Sequence, residues 1–174
     1  LTQCKFVGDQ DKLQSWNDIQ STFGLLFLGD KNPCEIYLSD CFFMFWKTAM
    51  YFGGNVEGVN IRDMAILAVR NGIVYNSSWA KNGQPKNIHA EPWLSIFGCH
   101  INASRFCIHL TNVIQFNIGN NHIYGQNYTH TAENIFSAIT VVNNIPAEIW
   151  GAYHMKGNIH DNYISLIPQH ITPV

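Results

Sequence analysis

Charge is what this chain has least of. Only 13% of its 174 residues are charged, against roughly a quarter in an ordinary soluble domain, while 47% are hydrophobic. The net charge of −2 and the pI near 6.5 leave no basic face for a nucleic-acid backbone. No apolar run approaches the roughly 20 residues that cross a bilayer as a helix. There is no signal peptide, and the chain opens on Leu1, so we expect a fragment or processed product, a single segment spanning 1–174.

Familiar catalytic signatures are missing too. No Gly-x-Ser-x-Gly elbow, P-loop or dinucleotide fingerprint occurs, and no spacing of Ser, His and Asp assembles a triad. The five cysteines (Cys4, Cys34, Cys41, Cys99 and Cys107) are an odd number without CxxC spacing. Three of them sit in apolar strand patterns, so buried free thiols are expected rather than a disulfide framework. The sequons at Asn76, Asn102 and Asn127 then read as chance matches in an Asn-rich chain. No cofactor is implied.

What is present is a repeat. An apolar residue, two spacers, a residue from Cys, Met or Asn, one spacer and a second apolar residue recur six times. The copies are Leu1-x-x-Cys4-x-Phe6, Leu38-x-x-Cys41-x-Phe43, Ile61-x-x-Met64-x-Ile66, Ile96-x-x-Cys99-x-Ile101, Ile118-x-x-Asn121-x-Ile123 and Ile159-x-x-Asn162-x-Ile164. They lie 37, 23, 35, 22 and 41 residues apart. A second apolar stretch follows where chain remains, beginning at Leu25, Ala49, Ile73, Cys107 and Ile139, and each ends in corner residues such as Gly53-Gly54 or Thr111-Asn112.

Strand, corner, strand and corner at a fixed period describe an all-β chain winding round an axis. The spacing therefore predicts a right-handed parallel β-helix solenoid of about six coils with long loop insertions. Cys4, Cys41, Met64, Cys99, Asn121 and Asn162 would form one ladder, with Phe6, Phe43, Ile66, Ile101, Ile123 and Ile164 beside it. A helical reading fails for want of a 3.6-residue period. A β-sandwich would not repeat one residue class at one ladder position.

Function on such a scaffold sits in loops. Residues 7–23, 76–92, 124–135 and 142–157 exceed a bare coil. Loops 76–92 and 142–157 should leave the same edge, two levels apart, and wall a notch floored by Thr111-Asn112. Trp79, Trp93, Trp150, Tyr153 and Asn112 are the candidate carbohydrate-binding residues, since aromatic faces suit sugar C–H groups and amides suit hydroxyls. Packing of those aromatics against their own coils is the competing explanation.

Glu91 and Glu148, on opposite walls, are the first candidate catalytic pair. Carboxyls about 6.5–9.5 Å apart suit inverting glycoside hydrolysis; two solvated loop glutamates are the plainer alternative. Asp40 and Asp63 are the second choice. They precede the ladder residue in adjacent coils, where they could share a proton or hold a cation, but Asp also suits a corner, and Gly98, Asn120 and Asp161 fill the same slot. His100 and His122 share a ladder position without further ligands, so no metal site is assigned.

The repeats Ile118-Gly-Asn-Asn121-His-Ile123 and Gly157-Asn-Ile-His-Asp-Asn162-Tyr-Ile164 resemble those of the pectate-lyase-like parallel β-helix superfamily. With long aromatic loops, low charge, free cysteines and no secretion signal, the chain resembles part of a bacteriophage tailspike or tail-fibre protein. That resemblance implies a homotrimeric virion protein on the phage tail, used in host attachment. It would bind, and in many cases cleave, bacterial surface polysaccharide as a glycoside hydrolase or lyase. Two alternatives stay open: a non-catalytic receptor-binding or structural part of a tail fibre, and a cellular pectate-lyase-like enzyme.

Overall fold

The computed structural model of the chain describes residues 1–9, 15–17, 19–29, 35–54, 56, 58–77, 80–81, 84–85, 93–126, 136–144 and 156–166. Among them lie sixteen strands and no helix. In chain order these begin β1 (Lys5–Val7), β2 (Phe23–Gly29), β3 (Glu35–Ser39), β4 (Phe42–Met44), β5 (Thr48–Gly54), β6 (Gly58–Arg62), β7 (Ala65–Ser77) and β8 (Ala80–Lys81). They continue with β9 (Gln84–Pro85), β10 (Trp93–Phe97), β11 (His100–Thr111), β12 (Gln115–Gly119), β13 (His122–Gly125), β14 (Ser137–Val142), β15 (Lys156–His160) and β16 (Tyr163–Leu166).

The chain is all-β and built of parallel sheets. One sheet runs β3-β6-β10-β12-β15; the other runs β1-β4-β7-β11-β13-β16, with β2, β5 and β14 continuing it sideways. The small β8–β9 pair is antiparallel. From β3 onward the chain passes repeatedly from the first sheet to the second and back. A sandwich of antiparallel strands is excluded by that pairing.

The expected registers hold. Leu38, Ile61, Ile96, Ile118 and Ile159 are in register across the first sheet. Phe6, Phe43, Ile66, Ile101, Ile123 and Ile164 are in register across the second. The second strands align as Leu25, Met50, Ile73, Ile108 and Ile139. Because side chains alternate along a strand, each register puts one apolar column on one face. From Leu38 to Ile118 and from Phe43 to Ile123 those columns are buried, and they form one core with Met50, Phe52, Tyr75 and Leu110. Full burial of each such side chain is worth about 1.5–3 kcal/mol.

The two ends of the stack differ from its middle. Ile159 and Ile164 are 48% and 51% exposed, although their register neighbours Ile118 and Ile123 are fully buried. β15 and β16 are thus the last described strands of their sheets.

Corner chemistry explains the residue before each ladder position. Gln3, Asp40, Asp63, Asn120 and Asp161 have φ between 53° and 55°, and Gly98 has 67°. All six are left-handed, a conformation that Gly, Asn and Asp tolerate best. One corner was not foreseen. The third and fourth copies run through the bend between their two apolar stretches as single long strands, β7 and β11, with Ala68 at φ 49° and irregular register from Ile101 to Phe106. An alanine carries no turn signal, so nothing in the sequence marks that bend.

Candidate functional site

The first sheet turns its other face outward, and three columns of side chains run along it. The middle column is Tyr37, Asn60, Ser95, Asn117 and Asn158, in register over five strands. At about 4.8 Å per strand it extends about 19 Å. On one side lie Glu35, Gly58, Trp93, Gln115 and Lys156; on the other lie Ser39, Arg62, Phe97, Gly119 and His160. Alternation forces this arrangement, because the intervening residues Val59, Ile61, Leu94, Ile96 and Ile118 are buried in the core.

An open groove of about 480 Å³ lies over β10, β12 and β15, lined chiefly by Trp93, Ser95, Gln115, Asn117, Lys156 and Asn158. Its polar groups are amides and a hydroxyl, with Lys156 the one charged side chain among the described lining residues. A second hollow of about 450 Å³ lies at the other end of the same face, where Tyr37, Asn60 and Arg62 meet Leu1 and Thr2.

Two glycines shape the groove's flanks. A Cβ at Gly58 would overlap the indole of Trp93, so the missing side chain lets that ring lie across the neighbouring strand. A Cβ at Gly119 would meet the His160 ring, which also tilts against Phe97 at 5.6 Å between centroids. The His160 ring is further held by Asp161 Oδ2, 2.9 Å from Nδ1, and by Asn117 Oδ1, 3.2 Å from Nε2. Arg62 Nε donates to Asn60 Oδ1 at 3.1 Å. At the far end Tyr37 donates its hydroxyl to Glu35, and that hydrogen bond raises the tyrosine pKa.

The described strands fix where the two long loops leave and rejoin the sheets. Asn76, Thr111 and Val142 are in register, so loops 76–92 and 142–157 leave one edge on either side of the Thr111–Asn112 corner. They rejoin the first sheet at Trp93 and Lys156, on the strands that flank Gln115 of β12. Of the predicted site residues, Trp93 lines the groove and Asn112 stands at the corner between the loops. Asn112 is left-handed at φ 57°, and its side-chain oxygen accepts from the Asn144 N–H at 2.8 Å. Glu91, Glu148, Trp79, Trp150 and Tyr153 lie outside the described residues.

Asp40 and Asp63 occupy successive left-handed corners. Asp63 reaches over Gly98 of the next corner, where a Cβ would collide with its carboxylate. Conformation alone accounts for an aspartate at both positions. His100 and His122 are in register and exposed, and they lean on Tyr124 and Tyr163 at 5.2 and 5.8 Å. No group of three or more His, Cys, Asp or Glu side chains able to hold a metal ion occurs among the described residues.

The amide column is what sequence reasoning missed. A signal existed: each member directly precedes the first apolar residue of a repeat copy, as Tyr37 precedes Leu38 and Asn117 precedes Ile118. Comparison with family models, curated proteins and solved structures finds no match to this chain.

Proposed function

We propose that the chain is a right-handed parallel β-helix of about six coils and that its groove binds an extended bacterial surface polysaccharide. In-register ladders and alternation between two parallel sheets support the winding. Crossovers between parallel strands are right-handed in about 98% of cases, which supports the hand. The observation that carries the ligand is the outward column Asn60, Ser95, Asn117 and Asn158 beside Trp93. Evenly spaced neutral donors and acceptors next to an aromatic face suit a hydroxyl-rich polymer, whereas a basic face would suit nucleic acid.

In this reading the chain is part of a phage tailspike, homotrimeric on the virion tail, and Trp79, Trp93, Trp150, Tyr153 and Asn112 contact sugar. Glu91 immediately precedes the Pro92-Trp93 entry to β10, so loop and groove are continuous. Cleavage would then fall to Glu91 and Glu148, one protonating the glycosidic oxygen and the other activating water. Asp40 and Asp63 are the second choice for those roles.

A non-catalytic receptor-binding segment is the second reading. It is favoured by the groove itself, whose described lining carries no carboxylate. Incubation with purified surface polysaccharides, following both retention and reducing-end release, separates the two. Release abolished by Glu91→Gln or Glu148→Gln supports the depolymerase; retention without release supports the receptor. Neither retention nor release counts against both.

A further inference from the structure

Four described cysteines are free thiols, and their surroundings differ. Cys99 has Met64 and Asn121 as its ladder neighbours. Its thiol is pushed up to about 12 by burial. Cys107 is likewise pushed up to about 12 by burial, and its sulfur faces the carbonyls of Ile101 and Tyr124 at 3.8 and 3.6 Å. Neither is placed to react. Cys4 and Cys41 are different, being consecutive ladder residues that both carry a thiol.

The backbone fixes their relation. Phe42 N donates to Cys4 O at 2.9 Å, and the next residues pair as Lys5 with Phe42. Neighbours in register across parallel strands lie about 4.8 Å apart, inside the roughly 4.4–6.8 Å Cα separation that a disulfide spans. Cys41 Sγ already accepts from the Cys4 N–H at 3.4 Å. Each thiol donates only to a carbonyl two residues back, Cys4 to Thr2 at 3.3 Å and Cys41 to Ser39 at 3.2 Å. Such S–H bonds are weak, so rotation about χ1 of Cys4 can swing its sulfur toward Cys41. Cys41 is buried and Cys4 half-buried, so a reagent meets Cys4 first.

We infer that Cys4 and Cys41 are a redox-responsive staple, closed by a small-molecule disulfide such as oxidised glutathione. The Cys4 thiolate attacks one sulfur of the oxidant, whose S–S bond breaks and releases one thiol. The Cys41 thiolate then attacks the Cys4 sulfur of the mixed disulfide and expels the second thiol. Two S–H bonds are lost from the protein, one S–S bond forms, and the oxidant takes both electrons and both protons. The product ties β1, three residues long and paired with β4 among the described strands, to the body of the sheet.

The test treats the full chain, purified reduced, with oxidised glutathione and then with an alkylating agent. We expect intact mass, read before alkylation, to fall by two hydrogens, a peptide map to join the Cys4 and Cys41 peptides, and amide exchange in β1 to slow severalfold. Dithiothreitol should reverse all three. Cys41→Ser should stop at a glutathione adduct on Cys4, and Cys99→Ala should leave the crosslink intact. A native chain that accumulates the Cys4 adduct without closing, or that bridges either thiol to Cys34, would overturn the inference.

Discussion

The side-chain oxygen of Asn162 accepts two hydrogen bonds from Asn121, one from the backbone N–H at 3.1 Å and one from Nδ2 at 2.9 Å. Asn121 repeats the relation one level earlier: its own Oδ1 accepts from the Cys99 N–H at 2.9 Å and its Nδ2 donates to Ile96 O at 3.1 Å. Asn162 Nδ2 donates to Ile118 O at 2.9 Å. Each amide thereby satisfies backbone groups at the corner of the level before it. Sulfur does the same work more weakly at the other end, where Cys41 Sγ and Met64 Sδ accept from the N–H groups of Cys4 and Cys41, both at 3.4 Å.

Asn121 is fully buried, so its loss should be costly. Asn121→Ala leaves the Cys99 N–H and Ile96 carbonyl without a partner and frees one side of Asn162. We expect a loss of about 2–4 kcal/mol in urea unfolding, with Asn121→Cys costing less because sulfur fills the slot elsewhere. A loss under about 1 kcal/mol for the alanine variant would contradict the ladder account.

The ladder was legible because its residues face inward, where stacking restricts the choice to Cys, Met or Asn at one repeated position. The outward column was harder to see. Tyr37, Asn60, Ser95, Asn117 and Asn158 pack against nothing that restricts their type, so the position repeats while the residue varies. The bend at Ala68 was not legible at all, since its φ is left-handed although alanine carries no turn signal. Attention to loops singled out Trp93, which lines the groove, but passed over the sheet face next to it.

Asp40 and Asp63 can be separated from catalysis by conformation. Glycine accepts their left-handed φ without strain, so Asp40→Gly and Asp63→Gly should each change stability by less than about 1 kcal/mol. Polysaccharide binding and release should also be unchanged. Loss of release in either variant, with binding and stability intact, would reinstate the aspartates as the working pair.

Stability should fall on both sides of neutrality. Burial, reinforced by the Arg105 charge, lowers the His109 pKa below 6.5, and its buried Nδ1 meets no partner among the described residues. A depressed histidine pKa means the unfolded chain binds the proton more tightly. The contribution of His109 is therefore full above about pH 6.5 and declines as pH drops below it. Cys99 and Cys107, pushed up to about 12 from 9, favour folding below pH 9 and lose that contribution as pH rises toward 12. Thermal scans from pH 5 to 10 should show both declines; His109→Gln should flatten the acid limb and Cys107→Ala the alkaline one. An acid limb unaltered in His109→Gln would assign it to other groups.

The central claim, a polysaccharide bound along the outer face of the first sheet, is tested most directly by calorimetric titration of the protein with a panel of purified bacterial surface polysaccharides. The account predicts binding to at least one, weakened about tenfold or more by Trp93→Ala and by Asn117→Ala, with both variants as stable as the parent within about 1 kcal/mol. No binding anywhere on the panel, or binding that survives both substitutions, would contradict it.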